Sequence, residues 1–168
     1  MTLLKRYRQM ADTGAAFRGL SVVQHTEAIG RLVRETSSET LLDYGSGAGD
    51  QYLEPYEIHK RWGVARPRLF DPSFSHTSAI PIGTFHGVIC SDVLEHIPAV
   101  NVDWLIGRLF DLSERFVFAS VCCRPARKTF EDGRNLHISL HPIDWWRGKF
   151  EWHARKAATS IWELVETP

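Results

Sequence analysis

Residues 41 to 49 read Leu41-Leu42-Asp43-Tyr44-Gly45-Ser46-Gly47-Ala48-Gly49: a short apolar run, an acid, and then glycine at every second position. Such a run is a buried strand closing in a tight turn, and a glycine backbone can be approached by a ligand where a side chain would collide. Asp43, just before the turn, adds a charge complementary to a cation. Two later segments end in the same manner. Leu69-Phe70-Asp71-Pro72 puts an acid 22 residues beyond Gly49, near the offset of about 20 residues at which a carboxylate takes a ribose hydroxyl pair. Val88-Ile89-Cys90-Ser91-Asp92-Val93-Leu94-Glu95-His96-Ile97-Pro98 is a third apolar strand, a polar switch and a short helical turn. Apolar strands ending in this way point to an open α/β sheet, whose ligands sit at the carboxyl ends of the strands.

The glycine spacing narrows the ligand. In the dinucleotide fingerprint the third glycine falls three residues after the second, and here that position is Asp50, so a nicotinamide dehydrogenase is disfavoured. Asp43-x-Gly45-x-Gly47-x-Gly49 instead resembles motif I of the class I S-adenosylmethionine-dependent methyltransferases, and the segment from Val88 to Pro98 resembles motif IV of their small-molecule branch. The resemblance runs from about Leu20 to about Phe150. It implies a Rossmann-like three-layer sandwich, with a mostly parallel sheet and an antiparallel carboxyl-terminal edge, that binds S-adenosyl-L-methionine. By the same resemblance Asp43, Gly45, Ser46 and Gly47 lie against the methionine portion, Asp71 on the ribose, and Ser91 and Asp92, with the Ile80 region, around the adenine or sulfur. Asp71 before proline also reads as a turn-capping aspartate.

Length and charge bound the partners. A chain of 168 residues makes one domain, spanning residues 1–168, and the 20 basic residues balance the 20 acidic ones. A nucleic-acid groove usually shows a basic excess, so no nucleic-acid partner is expected and a small-molecule acceptor is favoured. Ser91-Asp92-Val93-Leu94 also lacks the Asp/Asn-Pro-Pro-aromatic loop of nucleobase amino-group methyltransferases. Cys90, Cys122 and Cys123 spell no disulfide framework, and no run of 18 apolar residues occurs. The expectation is a reduced, cytoplasmic protein without membrane contact.

Periodicity predicts a helix from Ser21 carrying Ile29, Leu32 and Val33, a strand at 40–44, a helix at 49–61 interrupted near Pro55, and a strand at 68–70. A helix at 102–112 with Trp104 on its apolar face, a strand at 115–122 and a helix at 142–149 follow. The runs 150–155 and 160–166 read as an antiparallel pair. Only 14 residues separate Asp71 from His86. That is too few for the helix and strand that the resemblance implies there, and the segment is rich in serine, threonine and proline. The sheet is therefore expected to begin at the strand ending in Phe70. Its exposed edge calls for cover from a second subunit, hence a possible homo-oligomer, or from the amino-terminal arm through Phe17-Arg18-Gly19.

Glu95 and His96 stand where an acceptor would meet the methyl group, and histidine suits removal of a hydroxyl proton near neutral pH, so both are catalytic candidates. A Glu-His pair opening a helical turn can equally be a capping feature. Asp92-x-x-Glu95-His96 also resembles the acid-x-x-Glu-His pattern of metal-assisted O-methyltransferases, in which case His137 and His141 could approach the site. The preferred reading assigns no metal ligand. The leading expectation is methyl transfer to a small or medium-sized acceptor at oxygen, and the alternatives are a non-catalytic S-adenosylmethionine-binding module or a metal-assisted O-methyltransferase.

Overall fold

The computed structural model describes residues 2–13, 17–158 and 161–168. Five strands, β1 (Leu41–Tyr44), β2 (Arg68–Phe70), β3 (Phe85–Ser91), β4 (Ser113–Val121) and β5 (Ile161–Glu166), form one sheet in the order β2-β1-β3-β4-β5. Every neighbouring pair is parallel. A parallel sheet needs cover on both faces, and the period-two alternation of the strands supplies it. Leu42, Val88, Cys90, Val117 and Ala119 face one layer, which holds α4 (Ala99–Leu112) and α5 (Ile143–Ala154). Leu41, Ile89, Phe116 and Phe118 face the other, which holds α2 (Thr26–Glu35) and α3 (Ile58–Trp62). An additional helix, α1 (Leu3–Asp12), lies over the strand ends and buries only Ala11.

The short connection after β2 behaves as its length requires. Residues 72–84 contain no helix, the loop turns back through Asp71 N–H to Thr77 O at 3.0 Å, and β2 is the sheet edge. An α/β sandwich built on a parallel sheet is thus observed, but its carboxyl-terminal edge is not antiparallel. Residues 150–154 belong to α5, because Phe150 falls four residues after Trp146 on one helical face and both are fully buried. A helix between β4 and β5 then carries the chain across the sheet and returns it parallel, where a hairpin would have reversed it.

Other departures are local. The helix expected from Ser21 is divided into a 3-10 helix at Leu20–His25 and α2. The one expected at 49–61 is reduced to a 3-10 turn at Asp50–Tyr52 and the short α3, with Glu54-Pro55 between them in the cis form. Trp104 is 67% exposed, so it belongs to no core. Cys122 and Cys123 lie just past β4, half-buried and, like the buried Cys90, free thiols.

Gly87, in the middle of β3, shows how tightly the layers meet: a Cβ there would overlap the Phe116 ring. Replacing Gly87 by alanine should destabilise the chain by about 1–3 kcal/mol through overpacking. Thermal denaturation of G87A should show a melting temperature lowered by about 2–4 °C for each kcal/mol.

Candidate functional site

The glycine turn hangs from two carboxylates. Asp43, at 2% exposure, accepts hydrogen bonds on Oδ2 from Gln51 Nε2 and Tyr52 Oη, both at 2.8 Å. Gln51 Nε2 also reaches Ser46 O at 3.1 Å, so the buried acid braces the turn from beneath. Burial pushes the Asp43 carboxyl up to about 6, against the opposing pull of its two donors. Asp71 is bonded from the turn itself: Gly47 N–H donates to Oδ2 at 3.0 Å, and Ser73 N–H donates to Oδ1 at 2.8 Å. Asp71 therefore caps its own turn and clamps the glycine loop across the strand pair, with burial raising its carboxyl above the ordinary range.

Gly45, Gly47 and Gly49 have φ of 86°, 58° and 85°, a region that favours glycine. The space beside each is filled by the chain itself. A Cβ on Gly45 would strike Val93, one on Gly47 the carbonyl of Phe17, and one on Gly49 the Leu69 side chain at 2.6 Å. The turn amides are likewise committed. Gly45 and Ser46 donate to Phe70 O, Gly47 to Asp71, and Gly49 to Ser46 O, while Ala48 donates to Phe17 O at 2.9 Å and Asp50 to Arg18 O at 3.2 Å.

On the other side of β1, Ser91 and Asp92 end β3. Ser91 Oγ lies 2.8 Å from Ser120 Oγ and 3.4 Å from Ser21 Oγ. Asp92, held at φ 54°, accepts on Oδ1 from Ser120 Oγ at 2.8 Å and Thr167 Oγ1 at 2.9 Å. These bonds tie the ends of β3, β4 and β5 together. The Ile80 region does not join them, for Ile80 is 72% exposed.

Glu95 and His96 occupy a 3-10 turn at Leu94–His96. Glu95 is fully buried: Oε1 accepts from Cys122 N–H at 3.0 Å, and Oε2 has no partner. Burial, then the charge of Asp92, pushes this carboxyl up to about 8. His96 Nδ1 lies 3.0 Å from Leu136 O and 3.2 Å from the Tyr7 hydroxyl, and its ring packs edge-on against Tyr7, Phe17 and His137. Loss of hydration, reinforced by His137, lowers His96 to about 4, so its imidazole is neutral at physiological pH.

His137, which sequence reasoning placed only near the site, stands with its ring centroid 4.9 Å from that of His96. Its Nδ1 meets Arg124 O at 2.5 Å. Both histidines thus turn Nδ1 toward a backbone carbonyl, which favours the tautomer with Nε2 as the free acceptor. Ligand atoms of Glu95, His96 and His137 all lie within 4.8 Å of one another. Asp92 is outside that set, committed to Ser120 and Thr167, and His141 stacks instead on Trp145 at 3.8 Å.

Comparison with protein-family models, curated proteins and solved structures gives no match for this chain. Among the described residues no helix is long and apolar enough to cross a membrane.

Removing the Asp43 carboxylate should leave two buried donors without acceptors. D43A should therefore lose about 2–4 kcal/mol, while Y52F, which removes one donor, should lose about 1 kcal/mol. Urea denaturation of the two variants checks the order.

Proposed function

We propose that the chain binds S-adenosyl-L-methionine at the carboxyl ends of β2, β1 and β3 and transfers its methyl group to an oxygen of a small or medium-sized acceptor. One observation carries this reading. The glycine turn after β1 and Ser91-Asp92 after β3 flank the point where the strand order reverses, and Asp71 after β2 is bonded to the turn. The resemblance of these three segments to methyltransferase motifs supplies the ligand; the strand order supplies the common edge at which they meet.

The chemistry asks little of the protein beyond placement. As the acceptor oxygen bonds to the methyl carbon, the carbon–sulfur bond breaks, the sulfonium leaves as a neutral thioether, and the acceptor hydroxyl gives up its proton. His96, neutral and with Nε2 free of its backbone partner, is the group assigned to that proton. Its lowered basicity makes it a weak base in the protein's present arrangement, and a neighbouring charge would be needed to strengthen it.

Calorimetric titration should show binding of S-adenosylmethionine and of its demethylated product, and none of NAD. With an acceptor in hand, H96A should lose turnover while keeping cofactor affinity. Absence of binding to either sulfur compound would end this reading, and binding without turnover on any acceptor would favour the non-catalytic module.

A second reading, metal-assisted O-methylation, is favoured by the geometry of Glu95, His96 and His137. Two imidazole nitrogens and one carboxylate oxygen suit a divalent transition ion, and the unpartnered Glu95 Oε2 is a buried acceptor with nothing to accept. Such an ion, when bound, would acidify the acceptor hydroxyl. The ligand set differs from the Asp92, Glu95 and His96 pattern expected from sequence, since His137 replaces Asp92. Only ionised Glu95 can ligate, so below about pH 8 binding must release its proton. Affinity for Mn2+, measured on chelator-stripped protein, should rise roughly tenfold per pH unit toward pH 8 and then level. H137A should abolish binding and D92N should not; the opposite pattern would overturn the assignment.

A further inference from the structure

The described parts of the amino-terminal segment, residues 2–13 and 17–19, meet the candidate site at two ends. At one end, Arg6 pairs with Asp132 at 2.6 Å, Tyr7 donates to Leu136 O at 2.9 Å, and Tyr7 packs edge-on against Phe130 and His96. Arg8 Nε donates to Pro72 O at 2.9 Å, beyond the end of β2. At the other end, Phe17 O and Arg18 O accept from Ala48 and Asp50 of the glycine turn, and Arg18 pairs with Asp50 at 2.7 Å. The Phe17 carbonyl fills the space beside Gly47, with Phe17 itself at φ 59°, a conformation that non-glycine residues seldom adopt.

We propose that this segment is an autoinhibitory strap, in which the carbonyls of Phe17 and Arg18 stand in for the acceptor oxygens of a ligand at the glycine turn. The proposal rests on the cofactor reading above for the ligand's identity, but the docking itself is a property of the chain. Ala48 and Asp50 are the turn amides whose bonds would be released without disturbing Asp71, Phe70 or Ser46. Gln51 Oε1 lies buried under Gly19 with no donor, so the floor beneath the strap holds an unused acceptor beside those two donors. A ligand bearing an anionic group next to a cationic one matches that floor once the strap lifts. The strap's hold combines polar bonds with the Tyr7 ring contacts, and its helix buries only Ala11 and supplies no residue to either core cluster, so opening leaves the sheet core intact. A cleft of about 240 Å3 lined by Arg8, Asp12, Pro72, Ser73, Ser75 and Ser78 lies between the strap and the β2 loop beside the Arg8 bond.

If binding competes with docking, the apparent dissociation constant is the intrinsic one divided by the open fraction. Two full-length variants loosen the distal latch without touching the glycine turn: the double variant R6A/Y7A, and D132A, which breaks the Arg6 pair from the opposite side. Hydrogen exchange of the Ala48 and Asp50 amides should accelerate at least several-fold in the double variant and less in D132A. S-adenosylmethionine should bind the double variant more tightly than the parent, and on the parent it should hasten tryptic cleavage after Arg8 and Arg18. Unchanged exchange at Ala48 and Asp50 would overturn the strap. Weaker binding by the double variant, or protection of Arg18 by the ligand, would make the segment a wall of the site and overturn autoinhibition. Faster exchange with no S-adenosylmethionine binding by either protein would uphold the docked strap while removing the cofactor reading.

Discussion

The carboxylate of Asp43 holds the site together from below. A charged group at the end of a central strand is costly to bury, and the cost is offset by donors from Gln51 and Tyr52, eight and nine residues along the chain. Those two side chains fold the segment after the glycines back under the strand, which is why residues 50–52 form a tight 3-10 turn. Asp71 repeats the device one strand over, taking Gly47 N–H from the side. The two acids sit near enough that Asp71 raises the Asp43 carboxyl further. Each is tolerable only because the chain supplies its donors, so the glycine loop and its two acids form one unit.

Strand order then decides what this unit faces. With β2 at the edge and β3 on the other side of β1, the strand order reverses at β1, and Gly45 lets Val93 approach from the loop after β3. Glu95 is drawn into the interior by the same geometry. Its backbone carbonyl takes the amides of Ile138 and Ser139, its carboxylate takes Cys122, and the loop carrying His137 is thereby fastened against His96. A buried acid with one unpartnered oxygen is costly to the fold. An apolar side chain of similar size would avoid that cost.

Much of the fold was legible because its signals are local. The apolar runs of β1 and β3 and the bounds of β2 all follow from residues a few positions apart, and the short segment after Asp71 excludes a helix and a strand by length alone. The carboxyl-terminal edge was misread because Phe150 and Trp152 alternate like a strand, while the deciding contact is between Phe150 and Trp146 one helical turn earlier. The site was legible only in outline. Left-handed backbone at Gly45, Gly47 and Gly49 is written into the sequence, yet what occupies the space beside them is not. Val93 and Phe17 reach it from 48 residues ahead of Gly45 and 30 residues behind Gly47, through single close contacts that leave no periodic trace. His137 meets His96 across 41 residues for the same reason.

The two halves of the site differ in how they are held. The floor is tied to a sheet whose central strands are largely buried. The cover is tied by Arg6, Tyr7, Arg8 and two backbone carbonyls, interactions that exchange readily for water. Ala48 and Asp50 stand at the boundary between them. Their amides, in half-exposed residues, donate to Phe17 O and Arg18 O rather than to β1, β2 or the turn. A group that takes the place of Phe17 and Arg18 keeps those bonds only if it brings acceptors of its own.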